Sequence, residues 1–457
     1  MLSDRSAATV RATLPVVGAA VGDITERFYD RLFAAHPELL RDLFNRGNQA
    51  SGAQRRALAG SIAAFATHLV EHPDDRPDVL LSRIAHKHAS LGIAPEQYET
   101  VREHLFAAIA EVLGDAVTPE VAAAWDEVYW LMANALVAIE ARLYAERGIA
   151  AGADALRAWE VVERVEETAD VATFRLRPAD GGPAPAFRAG QYVSVQVELA
   201  DGARQIRQYS LTGAPAADVR QISVKRVRGT GADGGPGAAA PDGEVSTYLH
   251  AHVRAGDRLR VSAPYGDLVL DDAVLSGGPG GGLDGGAPDA GALDGGGPGG
   301  GAPAPLLLAS AGIGVTPMIA MLEQLADAGH AGPVTVVHAD RSPAAHALRA
   351  EHLAGTGRLP GATAHFWYED PEPGHPADRT GRVDLTGLPV APSTHAYLCG
   401  PLPFMKAVRS QLLAKGVAPA AIHYEVFGPD LWLASPSSSG PVGEATMSST
   451  VTGSRAA

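Results

Sequence analysis

The spacing of hydrophobic and polar residues divides this chain into three regions. Through residues 1–150, apolar side chains recur at i, i+3, i+4 and i+7, which predicts an all-helical domain. After about Ala158 the period shortens to two, and short strands are expected through 155–270. Through 305–430, buried strand runs alternate with helical segments. We therefore predict an all-α domain, an antiparallel β-barrel and an α/β domain with a parallel sheet.

The individual strands follow from alternation and from short apolar runs bounded by turn residues. The strands predicted for the barrel are 159–165, 172–176, 192–197, 205–211, 221–227 and 258–261. The strands predicted for the α/β domain are 305–310, 334–338, 363–367 and 396–399.

Three segments have no periodicity and are rich in small residues. Residues 271–304 consist mainly of Gly, Pro, Ala and Asp, so we expect a disordered linker insertion between the second and third domains. Residues 229–241 are expected to form a disordered loop tip of the barrel, and residues 431–457 a disordered tail.

Two predicted helices carry polar residues on faces that are otherwise apolar. One face of the first helix contains Leu81, Ile84, Ala85, His88, Leu91 and Gly92, and the opposite face contains Arg83, His86, Lys87 and Ser90. A histidine on an apolar stripe is more often a core residue than a ligand. The second helix starts at Thr118-Pro119-Glu120 and places Glu140 on its inner face. That carboxylate needs water at the domain edge or a partner such as a ligand histidine, and both alternatives stay open.

Composition excludes several classes of protein. The 457 residues carry a net charge of −15 without a basic run, which argues against nucleic acid as a partner. A single cysteine, Cys399, excludes internal disulfides and cysteine-rich metal sites. The first residues have no hydrophobic signal core, and no membrane span is expected. We therefore expect a cytoplasmic protein, and we expect it to be a monomer.

Several short motifs add chemistry to these domains. The barrel contains Gly190-Gln191-Tyr192 and an Arg-Gln-Tyr-Ser run at 207–210, and a predicted helix starts at Val245-Ser246-Thr247. In the α/β domain, Gly-Ile-Gly-Val-Thr-Pro at 312–317 follows a strand and precedes a helix, as nucleotide-binding loops do. Cys-Gly-Pro at 399–401 follows a second strand.

The segments 28–44, 48–58 and 84–98 resemble the globin domain of the flavohaemoglobins. The Arg-x-Tyr-Ser and Gly-x-Gly-x-Thr-Pro motifs resemble the flavin and nicotinamide domains of the ferredoxin reductase-like superfamily. The resemblance implies a haem b whose single axial protein ligand is His88. It implies a distal pocket of Tyr29, Gln54 and Leu58, which would hold dioxygen. It also implies that Tyr98 and Glu140 form one hydrogen-bonded set with His88.

The same resemblance implies contacts to haem, FAD and NAD(P)H along the chain. The implied cofactor-binding residues are Phe44, Lys87, Tyr192, Arg207, Gln208, Tyr209, Ser210, Val245, Ser246, Gly312, Ile313, Gly314, Val315, Thr316, Pro317, Cys399, Gly400, Pro401, Glu425, Val426, Phe427, Gly428 and Pro429. Two positions depart from the family pattern: Val315 stands where glutamine is frequent, and Val426 where cysteine is common. The preference for NADH or NADPH therefore stays open.

The function that the resemblance implies is NO dioxygenation, with electrons passing from NAD(P)H through FAD to haem and nitrate as the product. One alternative is a reductase with the same electron path and another acceptor, such as a quinone or a lipid hydroperoxide. A haem-based gas sensor is a further alternative, but a sensor would carry a signalling domain in place of the two reductase domains.

Overall fold

In the computed structural model, helices fill the first domain. The structure describes residues 2–73, 75, 77–150, 152, 154–215, 217–229, 241–275, 303–371 and 379–428. The helices of the first domain are α1 Asp4–Ala35, α2 Pro37–Asp42, α3 Arg46–Ala50, α4 Ala53–Glu71, α5 Asp78–Leu91, α6 Glu96–Leu113 and α7 Pro119–Glu146. As predicted, Thr118 is the N-cap residue of α7, and its side chain accepts a hydrogen bond from Val121 N.

Helix α1 satisfies the length and composition of a membrane-spanning helix. A core helix of a soluble protein satisfies the same criteria. In the structure, Val10, Ile24, Phe28 and Leu32 of α1 are buried in the core of the helical domain. These observations do not establish a membrane span among the described residues. The expectation that the chain has none stays a prediction.

The second domain is a closed antiparallel barrel, as the alternation predicts. Its strands are β1 Leu156–Thr168, β2 Val171–Pro178, β3 Tyr192–Glu198, β4 Arg204–Thr212, β5 Arg220–Lys225 and β6 Arg258–Ser262, in the order β1-β2-β5-β4-β3-β6. Helix α8 Glu244–His252 packs its Val245 and Leu249 into the barrel core. The predicted loop tip 229–241 lies outside the described residues from 230 to 240.

The third domain is a parallel sheet with helices. Its elements are β7 Leu306–Ala311, α10 Val315–Asp327, β8 Val334–Asp340, α11 Arg349–Gly357, β9 Ala362–Tyr368, β10 Arg379–Thr380, β11 His395–Cys399, α12 Leu402–Ala414 and β12 Ile422–Glu425. The strand order is β10-β9-β8-β7-β11-β12. Two strands were not predicted: the two-residue β10 and the four-residue β12, which pairs in parallel with β11.

The linker expected at 271–304 begins as ordered structure. Residues Asp272–Leu275 form a short helix, α9, and Val274 is buried in the core of the third domain beside β7 and α10. The prediction of a disordered linker from residue 271 is therefore wrong for its first five residues. Low average hydrophobicity concealed the few apolar side chains that pack there. Residues 276–302 and 429–457 lie outside the described residues.

Candidate functional site

His88, Tyr98 and Glu140 form one hydrogen-bonded set inside the helical domain. His88 Nδ1 lies 2.9 Å from Glu140 Oε1 and 2.9 Å from the Tyr98 hydroxyl oxygen. Tyr98 donates its hydroxyl proton to the same Glu140 oxygen, at 2.6 Å. The set is possible because α5, α6 and α7 each contribute one residue to the same interior point. Glu140 is 2% exposed, so it is not an edge residue that reaches water.

The chemistry of this set suits a metal-bound imidazole. The Glu140 carboxylate fixes the proton on His88 Nδ1, which leaves the lone pair on Nε2. Among the described residues His88 Nε2 has no hydrogen-bond partner, and 32% of the His88 side chain stays exposed. Burial, with the Glu140 charge beside it, raises the pKa of Tyr98, so its phenol stays protonated and donates. The residues present therefore fit an axial ligand for haem.

A second polar group surrounds the buried hydroxyl of Tyr29. The side chains of Gln54 and Gln49 lie near that hydroxyl, and Gln49 Nε2 is buried without a hydrogen-bond partner among the described residues. Burial raises the pKa of Tyr29, so the phenol is a neutral donor at physiological pH. Gln54 was predicted from the sequence and Gln49 was not. Gln49 lies in the 48–58 segment that carries the globin resemblance, but its position in the sequence does not distinguish it from the other polar residues there.

Apolar side chains enclose Tyr29. The Phe44 ring meets the Tyr29 ring edge-on at 5.9 Å, and the Phe33 ring stacks on it at 5.5 Å. Leu58 and Phe44 are half-buried and pack against the core of the helical domain. Lys87 precedes His88 on α5 and is also half-buried. A phenol donor among apolar side chains is an environment that suits a small diatomic ligand.

The polar face of α5, opposite His88, does not face solvent. Ser90 is fully buried, and its hydroxyl receives a hydrogen bond from Ser194 of the barrel at 2.9 Å. His86 Nδ1 accepts a hydrogen bond from Gly266 N at 3.0 Å. The face opposite His88 is therefore the surface on which the barrel docks.

The predicted flavin motif occupies β4, next to the helical domain. Arg207 donates to Asn45 Oδ1 at 2.8 Å and Gln208 donates to Ser194 Oγ at 3.0 Å. Tyr209 is half-buried, and burial raises its pKa although the Arg207 charge opposes that effect. The hydroxyls of Ser210 and Thr247 are buried without a partner among the described residues. Such orphaned polar atoms are rare unless a ligand satisfies them, so these residues fit a bound flavin.

Two further barrel positions flank this motif. Tyr192 is 7% exposed and packs with Tyr265 against the core of the helical domain. At the start of α8, the Ser246 hydroxyl accepts from Val227 N at 3.1 Å and donates to Gly243 O at 3.1 Å. The structure thus places Tyr192 at a domain boundary and Ser246 in a helix-start turn.

The predicted nicotinamide loop follows β7 and opens α10. A Cβ added at Gly314 would lie 2.3 Å from Cys399 O, so only glycine allows these two strand ends to approach. Gly312 has φ +53 and Gly400 has φ +153, and both values favour glycine. Ile313 O accepts a hydrogen bond from Thr316 Oγ1 at 2.9 Å, and Val315, Thr316 and Pro317 are buried. The loop and the Cys-Gly-Pro turn therefore form one site at the carboxyl ends of β7 and β11.

Cys399 and the terminal segment complete this region. Burial raises the pKa of the Cys399 thiol well above its usual value, so no thiolate forms at neutral pH. Glu425 ends β12, Val426 and Gly428 follow, and the Phe427 ring is 47% exposed. An exposed aromatic at this edge fits a surface that a planar ligand covers. Pro429 lies outside the described residues.

Comparison with known families assigns all three domains. Residues 26–136 match the globin family, residues 158–270 match the oxidoreductase FAD-binding domain, and residues 308–410 match the oxidoreductase NAD-binding domain. The predicted fold class, with its ferredoxin reductase-like second and third domains, is confirmed.

Curated relatives match over nearly the whole chain. The flavohemoprotein of Rhizobium meliloti is 38% identical over 441 residues, 94% of this chain and 100% of the relative. The flavohemoprotein of Bacillus subtilis is 34% identical over 95% of this chain and 99% of the relative. The crystal structure of flavohemoglobin from Malassezia yamatoensis with bound FAD and heme superimposes with a TM-score of 0.76 and 36% identity. It covers 93% of this chain and all of that one.

Proposed function

Because this chain belongs to the flavohemoprotein (flavohaemoglobin) family, we propose that it is an NAD(P)H-dependent nitric oxide dioxygenase that detoxifies NO. The net reaction balances as two NO, two O2 and one NAD(P)H giving two nitrate, NAD(P)⁺ and one proton. When bound, NAD(P)H supplies hydride, FAD divides it into single electrons, and haem b activates dioxygen toward NO. Globin, FAD-binding and NAD-binding domains occur here in one chain, as this path requires.

The observation that carries the proposal is the hydrogen-bonded set of His88, Tyr98 and Glu140. His88 Nε2 would hold the iron, and the buried Glu140 carboxylate would make that imidazole a stronger electron donor. A protein that only carries oxygen does not need stronger electron donation from the ligand histidine, whereas oxygen activation benefits from it.

The remaining residues position the reactants. The Tyr29 hydroxyl would donate a hydrogen bond where negative charge develops on oxygen, and Gln54 and Gln49 lie near it. Phe44 and Leu58 would limit water around the haem. Arg207, Tyr209 and Ser210 would hold FAD, and the loop 312–317 would receive the nucleotide phosphates.

Two reductase domains disfavour the gas-sensor alternative, since a sensor needs no hydride donor. The alternative with other acceptors shares every step up to the haem. Steady-state turnover of NO, with nitrate measured as product, should therefore be compared with turnover of a quinone and of a lipid hydroperoxide. A higher kcat/KM for NO and one nitrate per NO would support the proposal. Preferred turnover of another acceptor would overturn it.

We also propose a monomer in the cytoplasm. Among the described residues the exposed large hydrophobic side chains are Val16, Val227, Leu353 and Phe427, which are spread over the three domains. The single, buried Cys399 suits a reducing compartment.

A further inference from the structure

Three histidines of the third domain form a buried cluster apart from the site described above. His338 lies in β8, His346 follows that strand, and His352 lies in α11. Their exposed fractions are 0%, 3% and 0%. One ring nitrogen of each lies within 4.8 Å of a ring nitrogen of the other two. Three buried imidazoles at this spacing are the donor set that a divalent transition metal uses.

The distance between two of these nitrogens matches a shared metal. His346 Nε2 lies 3.3 Å from His352 Nδ1, and the two nitrogens share a hydrogen bond in this structure. Two nitrogens bound tetrahedrally to one Zn²⁺, each at about 2.0–2.1 Å, are about 3.3–3.4 Å apart. A fourth donor is near, because Asp340 Oδ2 lies 3.7 Å from His338 Nε2 and the Asp340 side chain is only 5% exposed.

The outer nitrogens already have the partners that orient metal ligands. His338 Nδ1 is hydrogen-bonded to Ser310 Oγ at 2.8 Å, and His346 Nδ1 is hydrogen-bonded to the Tyr368 hydroxyl at 3.0 Å. Such bonds to the second ring nitrogen fix the orientation of metal-bound histidines. They leave Nε2 of both rings pointing away from these partners: His338 Nε2 has no hydrogen-bond partner among the described residues, and His346 Nε2 shares a hydrogen bond with His352 Nδ1 that a metal would replace.

The cluster is not satisfied by packing alone. His338 Nε2 and His352 Nε2 are buried without a hydrogen-bond partner among the described residues. Burial lowers the pKa of all three histidines, and for His346 and His352 the neighbouring rings lower it further. The rings are therefore neutral at physiological pH, which is the form that binds metals.

One feature of the cluster must change when a metal binds. The His338 and His346 rings are stacked, with centroids 3.9 Å apart and planes at 21°. Stacked rings do not direct their lone pairs to a common point, so one ring must rotate about χ2 and its outer hydrogen bond, to Ser310 or Tyr368, must shift with it. The His338 and His346 rings therefore cannot be stacked in this way and bind one metal at the same time. The number and distances of the ligands measured at a bound metal distinguish the two arrangements.

We propose that His338, His346 and His352, with Asp340, form a binding site for a first-row divalent cation, for which Zn²⁺ is the best match. The site lies at the carboxyl ends of β7 and β8, since Ser310 is in β7 and Asp340 ends β8. Ser310 precedes the nucleotide loop by two residues. A bound cation would fasten β8 to α11 beside that loop.

Zinc content of the full-length holoprotein tests the proposal. After treatment with a chelator and dialysis against Zn²⁺, elemental analysis should find one zinc per chain in addition to the iron. His352→Gln should lower zinc affinity at least tenfold. The matched control is His330→Gln, which changes a buried histidine of the same domain outside the cluster and should leave zinc binding unchanged.

X-ray absorption at the zinc edge reports the ligands without interference from haem iron. The wild-type protein should show three imidazole nitrogens at about 2.0–2.1 Å. This ligand count decides the question even if His352→Gln fails to fold. The absence of stoichiometric zinc, equal affinity in wild type and His352→Gln, or fewer than three imidazoles would overturn the proposal.

Discussion

The Glu140 carboxylate accepts a hydrogen bond from His88 Nδ1 at 2.9 Å, across two helices of a buried core. This contact determines which nitrogen of His88 faces the haem pocket. It also sets how strongly the ring donates electrons. Glu140 is thus a positioning residue that acts through His88.

Replacing Glu140 by glutamine removes the negative charge and keeps the shape. We expect NO consumption to fall about 10- to 100-fold, in the range found when such partners of ligand histidines are lost. Resonance Raman spectroscopy should show a lower iron–histidine stretching frequency at unchanged haem content. The control is Glu146→Gln, an exposed glutamate of the same helix. An unchanged stretching frequency would contradict this role.

Tyr29→Phe removes one hydroxyl from the distal pocket. Because that donor would stabilise charge on oxygen, its loss should speed dissociation of dioxygen and lower NO turnover about 10²-fold. Reduction of the flavin by NADH should not change. Tyr144→Phe is the matched control, since it removes another buried hydroxyl of the helical domain, bonded to Ile93 O. Equal NO turnover in wild type and Tyr29→Phe would show that the distal pocket is assigned wrongly.

Arg83 joins the helix of His88 to the third domain. Its Nη2 donates to Tyr424 O at 2.7 Å, and its guanidinium lies 4.3 Å from the centroid of the Tyr424 ring. In Arg83→Leu we expect haem reduction by NADH to slow about tenfold, because small misplacements of reacting groups are costly. Flavin reduction should keep its rate.

Stopped-flow spectroscopy resolves these two steps of Arg83→Leu. The control is Arg142→Leu, which changes an exposed arginine of α7. Equal slowing of flavin and haem reduction would place the defect in nucleotide binding instead.

Asp42 links the helical domain to the barrel through Arg204. Partial burial raises the pKa of Asp42, but hydrogen bonds from Arg41 and Arg204 outweigh that effect and lower the pKa to about 2. The folded state therefore binds the proton less tightly than the unfolded state, whose carboxyl titrates near 4. The stabilisation is present above about pH 4 and is lost as pH falls toward 2.

Asp42→Asn should be less stable than wild type above about pH 4, and the difference should shrink below it. Urea unfolding between pH 6 and 3 measures this difference. Asp30→Asn is the control, since Asp30 is an exposed carboxylate of α1. A difference that stays constant down to pH 3 would contradict the assignment.

The sequence predicted the type of each domain, because buried apolar residues recur about every 3.6 residues along a helix and every second residue along a strand. It also predicted that Glu140 needs either water or a partner, because an unpaired carboxylate on an apolar face is costly; the structure provides the partner. It left open what the polar face of α5 contacts. Ser90 and His86 of that face contact the barrel, and no repeat within one helix reveals a contact with a distant domain.

The histidine cluster was missed for a related reason. His338, His346 and His352 are separated by six to eight residues and share no spacing of a known metal motif. They meet because β8 and α11 pack together, which is a property of the fold. Gln49 is a different case, since only its burial beside Tyr29 distinguishes it from other polar residues of its segment.

The central claim is that electrons from NAD(P)H reach a haem held by His88 and are used to convert NO to nitrate. The most direct test is a series of absorption spectra of the purified protein. The first two are recorded anaerobically, before and after addition of NADH, and the next after addition of air and then of NO. We expect haem and flavin bands, reduction of the haem by NADH, and rapid NO loss only when oxygen is present. Haem reduction without loss of NO would contradict the dioxygenase assignment, and a protein without a haem band would make His88 a core histidine.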